Sequence, residues 1–198
     1  MNKYCLLISL LVLSSFSVAS AATIYDEGVN GDLSGVFSAP ALLSVSVGPN
    51  TVIGQVGNNG NTGAVGGQDA DYFTFTVPVN FLLNSITVDS YMFTGDAGED
   101  GSFFGYVAGN SFTGQGSGSI DGFEIIDESD GEILDNLLSF DPISVLSAGD
   151  YAFWVQETGN SIVDYQITFG IVPVPVPAAI WLFGSAIFGL IGLRKKFA

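Results

Sequence analysis

The sequence predicts an all-β chain: an antiparallel β-sandwich of the jelly-roll or immunoglobulin-like kind, set between a cleavable signal peptide and a carboxyl-terminal transmembrane helix. Three observations carry that expectation. Apolar residues in the interior recur with period two, as in Phe73, Phe75 and Val77 against Tyr72, Thr74 and Thr76, or Val163, Tyr165, Ile167, Phe169 and Ile171 against Asp164, Gln166, Thr168 and Gly170. These segments are short and are separated by turns rich in Gly, Pro and Asn. No stretch between the two apolar ends has the 3.6-residue period of an amphipathic helix, and short strands without helices bury themselves by pairing two sheets.

Residues 1–21 read as an export leader. Lys3 precedes the apolar run Cys5 to Leu13, and Ala19-Ser20-Ala21 is the small-x-small pattern that signal peptidase accommodates, with Ala19 and Ala21 as the recognised pair and Ala22 as the new amino terminus. Cleavage removes Cys5, the only cysteine. An exported domain without disulfides is held by burial, by metal ions or by both.

Residues 22–172 form the acidic domain, with strands expected at 42–47, 51–56, 73–77, 83–91, 103–108, 123–126, 143–146, 151–157 and 163–171. Gly48-Pro49-Asn50, Pro78-Val79-Asn80 and Ala148-Gly149-Asp150 supply turn chemistry between them. Residues 57–68 and 109–118 are polar and glycine-rich and read as mobile loops.

Residues 173–177 place proline at every second position, which forbids helix and leaves an extended rod that a protease can grip. Residues 178–193 carry no charge and as a helix would reach roughly 24 Å, near the short limit for crossing hydrocarbon. In the tail, residues 194–198, Arg194, Lys195 and Lys196 supply the positive-inside signal. That puts the carboxyl terminus in the cytoplasm and the acidic domain across the inner membrane.

Charge sets the chemistry. All 20 Asp and Glu residues lie between Ala22 and Val172, a span without Lys, Arg or His. No cation is present there to replace the counterions of phosphate, so nucleic acid is excluded as a partner. Without His, Cys or Lys, no Ser-His-Asp or Cys-His nucleophile can be assembled, nor a transition-metal site built on imidazole or thiolate. Two carboxylates suffice for a glycoside hydrolase, but no pair is singled out, and the domain reads as noncatalytic with that hydrolase as the remote alternative.

Oxygen ligands suit hard cations. Asp96, Glu99 and Asp100 share the loop GDAGEDG, and Asp127, Glu128, Asp130 and Glu132 crowd into IIDESDGEI; both are candidate Ca²⁺ sites, with solvated acidic loops as the alternative. Trp154 sits in the opposite register to Tyr151, Phe153 and Val155, so one of the two sets faces the core. Trp154 is then either packed between the sheets or a platform for carbohydrate.

Two regions resemble known families. VPVPAAIWLFGSAIFGLIGLRKK, ahead of the final two residues, resembles the PEP-CTERM sorting signal in its VPxPA variant. The resemblance implies recognition of Pro175-Val176-Pro177 by an exosortase, an integral-membrane protease or transpeptidase of Gram-negative bacteria, with Arg194, Lys195 and Lys196 as the cytoplasmic stop. Val176 stands where the family name has Glu. It further implies a transient stay in the inner membrane, delivery to the outer surface or extracellular matrix, and association with exopolysaccharide and biofilm. DADYFTFTVP and LSAGDYAFWVQETGNSIVDYQITFGI resemble the opening and closing strands of the bacterial pre-peptidase C-terminal domain, and YDEGVNGDLSG resembles the segment preceding such domains. That likeness implies a β-sandwich, some members of which, notably collagen-binding ones, hold calcium. The function implied is an exported surface or matrix protein, with a calcium-dependent carbohydrate- or protein-binding module as the alternative.

Overall fold

A computed structural model of the chain describes residues 20–57, 69–94, 101–139, 143–159 and 161–175, together with Phe183. Among the described residues nine strands form two sheets. β1 (Ala22–Asp26), β3 (Gly48–Gly57), β9 (Ile162–Pro173) and β5 (Phe81–Thr94) make the first, in the order β1-β3-β9-β5. β2 (Ala41–Leu42), β4 (Ala70–Val77), β8 (Gly149–Glu157), β6 (Ser102–Ala108) and β7 (Gly122–Ile126) make the second, in the order β2-β4-β8-β6-β7.

The sheets face one another because each inner strand buries one side-chain register. On β9 that register is Val163, Tyr165, Ile167, Phe169 and Ile171, and on β4 and β8 it includes Phe73, Phe75, Phe153 and Val155. Phe169 is the centre of the packing: its ring centroid lies 5.0 Å from Phe153, 5.2 Å from Phe75 and 5.8 Å from Phe73, all on the opposite sheet. Burying each such ring contributes about 1.5–3 kcal/mol. α2 (Leu134–Leu137) packs Leu134 and Leu137 inward and touches both β5 and β7, closing one side between the outer strands of the two sheets.

The sandwich is of mixed orientation, which corrects the expectation of an antiparallel one. β1 runs parallel to β3 and β2 parallel to β4, while the other ladders are antiparallel. The cause is the route of the chain, which alternates between sheets from β1 to β5. A strand that regains its sheet after a passage through the other one is not bound by hairpin geometry and can run parallel.

Two expected strands shrink and one is new. Of 42–47 only Leu42 joins a ladder, with Ala41 ahead of it, beside Thr74 and Phe73; Asn50 then draws the chain into a turn, its side chain accepting from the Ser46 N–H (2.7 Å) and donating to the Ser46 and Gly48 carbonyls (both 2.8 Å). Pro49 and Asn50, expected as turn, therefore stand inside β3. Of 143–146 only Leu146 pairs, as a single bridge to Leu83. β1 has no counterpart among the expected strands. The loop over 109–118 also departs from expectation: Phe112 is buried and anchors it against the outer face of the second sheet. The expected loop at 57–68 lies, beyond Gly57, outside the described residues. So do the leader up to Ala19 and the expected membrane helix 178–193 apart from Phe183. No helix among the described residues is long and apolar enough to cross a membrane.

Candidate functional site

The inward register of β4 reads Asp71, Phe73, Phe75, Val77, so the alternation that buries three apolar side chains also buries a carboxylate. Asp71 is fully buried, and its Oδ2 accepts a hydrogen bond from the Tyr165 hydroxyl at 2.6 Å. Room for that phenol comes from Gly54, opposite Tyr165 in the β3–β9 ladder, where a Cβ would overlap the hydroxyl. The other oxygen of Asp71, Oδ1, is buried without a hydrogen-bond partner. Asp69, bridged to Gly57 just ahead of β4, is buried as well and has an unpartnered Oδ2.

The segment after β1 completes the cluster. Asp26 caps the single turn α1 (Glu27–Asn30) by accepting from the Gly28 N–H at 2.9 Å. Glu27 then bridges outward elements, Oε1 accepting from the Leu33 N–H and Oε2 from the Gln55 N–H of β3, each at 2.7 Å. This holds its carboxylate so that one ligand oxygen each from Glu27, Asp32 and Asp71 lie within 4.8 Å of one another. Asp71 forms the buried floor, Glu27 is half-buried, and Asp32 is exposed and opens the cluster to solvent.

These carboxyls are electrostatically frustrated. Burial, then the charge of Glu27, pushes Asp71 well above the carboxylate range against the opposing Tyr165 hydrogen bond. Burial and the Asp32 charge raise Asp69 to about 6. Burial raises Glu27 to about 7 despite its two backbone N–H donors, with Asp32 and Asp69 adding repulsion. No Lys, Arg or His exists between Ala22 and Val172 to relieve them. Protonation or a bound cation are the two ways such a cluster is neutralised. The donor set is all oxygen and anionic, with buried oxygens lacking partners, which fits a hard divalent ion such as Ca²⁺ with its six to eight oxygen ligands.

The acidic residues singled out from sequence lie elsewhere. Asp127 Oδ1 accepts from the Ser129 N–H and hydroxyl (both 2.6 Å), Asp130 Oδ2 from the Asp127 N–H (2.7 Å), and Glu132 Oε1 from the Ile86 and Leu134 N–H groups (3.1 and 3.0 Å). These carboxylates organise a turn and pin it to β5. Asp96, Glu99 and Asp100 lie outside the described residues. Of the sorting residues, Pro175 is exposed just beyond β9, one residue after the Val174 N–H donates to the Asn80 carbonyl at 2.9 Å; Val176, Pro177, Arg194, Lys195 and Lys196 lie outside the described residues, as does Ala19, while Ala21 is exposed.

Trp154 faces away from the inter-sheet core, and Phe153 and Val155 supply the inward set. It is nonetheless only 7% exposed, because Tyr72 stacks on it at 5.4 Å and Phe112 of the 109–121 connection meets it edge-on at 6.1 Å. Comparison of the chain with protein-family models and with curated proteins returns no match.

Proposed function

We propose that residues 22–172 form a noncatalytic module displayed outside a Gram-negative cell, its amino-terminal segment fastened to the sandwich by a divalent cation, calcium in particular. The observation that carries this reading is the Asp71 carboxylate: buried, half-satisfied and converging with Glu27 and Asp32 in a domain without a single cationic side chain. Glu27, Asp32 and Asp71 would hold the ion, with Asp69 beside them. The ion supplies the positive charge that the sequence lacks, and joins the 27–32 segment to the buried face of β4 in the role that disulfides play in other exported domains.

Delivery in this proposal follows the two ends of the chain. Signal peptidase cuts after Ala21; the helix at 178–193 halts in the inner membrane with Arg194, Lys195 and Lys196 in the cytoplasm; an exosortase acts at Pro175-Val176-Pro177 and sends the domain to the exopolysaccharide-bearing surface. The exposure of Pro175 immediately after the last strand pairing supports an accessible processing site.

The test is thermal melting of the full-length chain in detergent with a chelator, with Ca²⁺ and with Mg²⁺. Calcium should raise the melting temperature by several degrees, and Mg²⁺, which demands a tighter octahedral shell, by less. Identical melting in all three conditions removes the metal from the reading.

A further inference from the structure

The outer face of the second sheet carries a cavity apart from the carboxylate cluster. Its floor follows from register. Across β4, β8, β6 and β7 one row of outward positions reads Tyr72, Trp154, Gly105, Phe123, and the next reads Ala70, Gln156, Phe103, Ile125. Gly105 leaves a gap between Trp154 and Phe123, and the Phe103 ring leans across it: a Cβ on Gly105 would sit 2.7 Å from Phe103 Cε1. The result is a continuous aromatic shelf, Trp154 to Phe103 at 4.5 Å and Phe103 to Phe123 at 5.8 Å. The 109–121 connection, anchored by Phe112, raises a wall beside that shelf through Gln115 and Ile120 and leaves a cavity of about 340 Å³.

We propose that this cavity binds a neutral sugar ring of a polysaccharide. Its size lies at the small end of the roughly 300–1,000 Å³ typical of ligand pockets, which suits a short stretch of glycan. A pyranose has an apolar C–H face that the aromatic shelf can cover, and a rim of hydroxyls that needs both donors and acceptors. That rim is met by two primary amides and a hydroxyl: Gln156 beside the shelf, Gln115 oriented by donating from Nε2 to the Tyr72 hydroxyl at 2.7 Å, and Thr158 held by donating to the Gly101 carbonyl at 2.6 Å. A purely hydrocarbon ligand would strip water from those polar groups and give nothing in return.

Charge decides which sugar. In a chain of net charge −16, no acidic side chain among the described residues lines the cavity. Of the described acids adjacent in sequence to lining residues, Glu157 points inward to Ser102 Oγ at 2.8 Å, Asp121 accepts from the Ala108 N–H at 2.7 Å, and Glu124 accepts from the Ile125 N–H at 3.2 Å. With no cation in the domain, a uronate or sulfated sugar has no counter-charge and meets long-range repulsion, so the occupant is uncharged.

The test uses the full-length chain in a polyoxyethylene detergent, which carries no sugar, with Trp181→Phe introduced so that Trp154 is the sole indole. Neutral gluco-, galacto- and manno-configured oligosaccharides and a uronate oligomer are titrated while Trp154 fluorescence is followed. At least one neutral series should saturate the signal and the uronate should not. Phe123→Ala, at a ring already 39% exposed, should weaken binding about tenfold or more at nearly unchanged melting temperature. Gly105→Ala, which forces only the tip of the Phe103 ring to swing, should do the same. Equal binding by the uronate, saturation unaffected by either variant, or a response to an apolar peptide in place of every neutral sugar would overturn the assignment.

Discussion

Replacing Asp71 with asparagine separates a metal ligand from a merely buried acid. Without metal, burial and then the charge of Glu27 push the Asp71 carboxyl well above its usual range, whereas an unfolded chain ionises it near pH 4. A raised carboxyl contributes its full stability below the unfolded pKa and loses it as pH rises, so at pH 7.5 the wild-type site is a liability. The Asp71→Asn change removes the ionisable group, keeps an oxygen for the Tyr165 hydroxyl and offers an amide N–H where Oδ1 now has no partner; a carboxylate oxygen of Glu27 lies within 4.8 Å of one of Asp71, so a small shift lets Glu27 accept it. The gain is that of satisfying a buried polar group, about 1–3 kcal/mol. At about 2–4 °C per kcal/mol for a domain of this size, the variant in chelator should melt roughly 2–12 °C above wild type. Saturating calcium reverses the order: at a thousand times its dissociation constant an ion adds about 4.1 kcal/mol to a protein that binds it, more than the upper end of that gain, and Asp71→Asn should gain little of it. Scanning calorimetry of both proteins at pH 7.5, with chelator and with Ca²⁺, reads the crossing directly. If Asp71→Asn is the less stable protein in chelator and responds to calcium as wild type does, the ligand assignment fails.

Further outcomes follow from the same packing. In chelator, wild-type stability should fall between about pH 4 and pH 7 as Asp69, near 6, and Glu27, near 7, lose the protons that the unfolded chain lost earlier; Asp32, Asp71, Tyr25 and Tyr165 face the same cluster and no cation offsets them, so the pH dependence of the melting temperature should flatten only when Ca²⁺ is added. Phe169→Ala empties the point where Phe73, Phe75 and Phe153 converge and should cost about 3–5 kcal/mol in a urea titration. Gly54→Ala drives a methyl into the fully buried Tyr165 ring and should cost about 1–3 kcal/mol while also blunting the calcium response, because the displaced phenol is the one bonded to Asp71. Intact-mass analysis of protein recovered from outside native cells should give an amino terminus at Ala22 and a carboxyl end near Pro175; a species retaining Trp181 would contradict exosortase processing.

Strand periodicity made the inner sheets legible. The alternating residues of β4 and β9 are the residues that meet across the core, and β6, β7 and β8 fall within a few residues of their expected bounds. The amino-terminal third was less legible because its apolar residues reach the core without running in ladders. Leu43 and Val45 look like a strand by hydrophobicity, yet Leu43 is buried and Val45 packs against the core from an irregular connection whose path is set by the Asn50 side chain. Parallel pairing of β1 and β2 was likewise invisible, since it depends on the chain crossing between sheets and not on any local pattern.

The site was hidden for a related reason. Counting carboxylates along the chain favours dense runs such as IIDESDGEI, but a dense run on a turn can satisfy itself with neighbouring N–H groups, as Asp127, Asp130 and Glu132 do. An isolated acid in the apolar register of a strand has no such recourse. Asp71 precedes Phe73, Phe75 and Val77 at spacing two, in a domain without a cation, and that conflict between pattern and charge was the available signal. What sequence could not supply was the closing side: Glu27 and Asp32 arrive on a short turn that pairs with nothing predictable, just as Gln115 and Ile120 reach the aromatic shelf on a connection that composition marks as unpacked. Periodicity tells which side chains share a face. It does not tell which irregular segment will cover that face, and in this fold both candidate sites are made where an irregular segment meets a strand register.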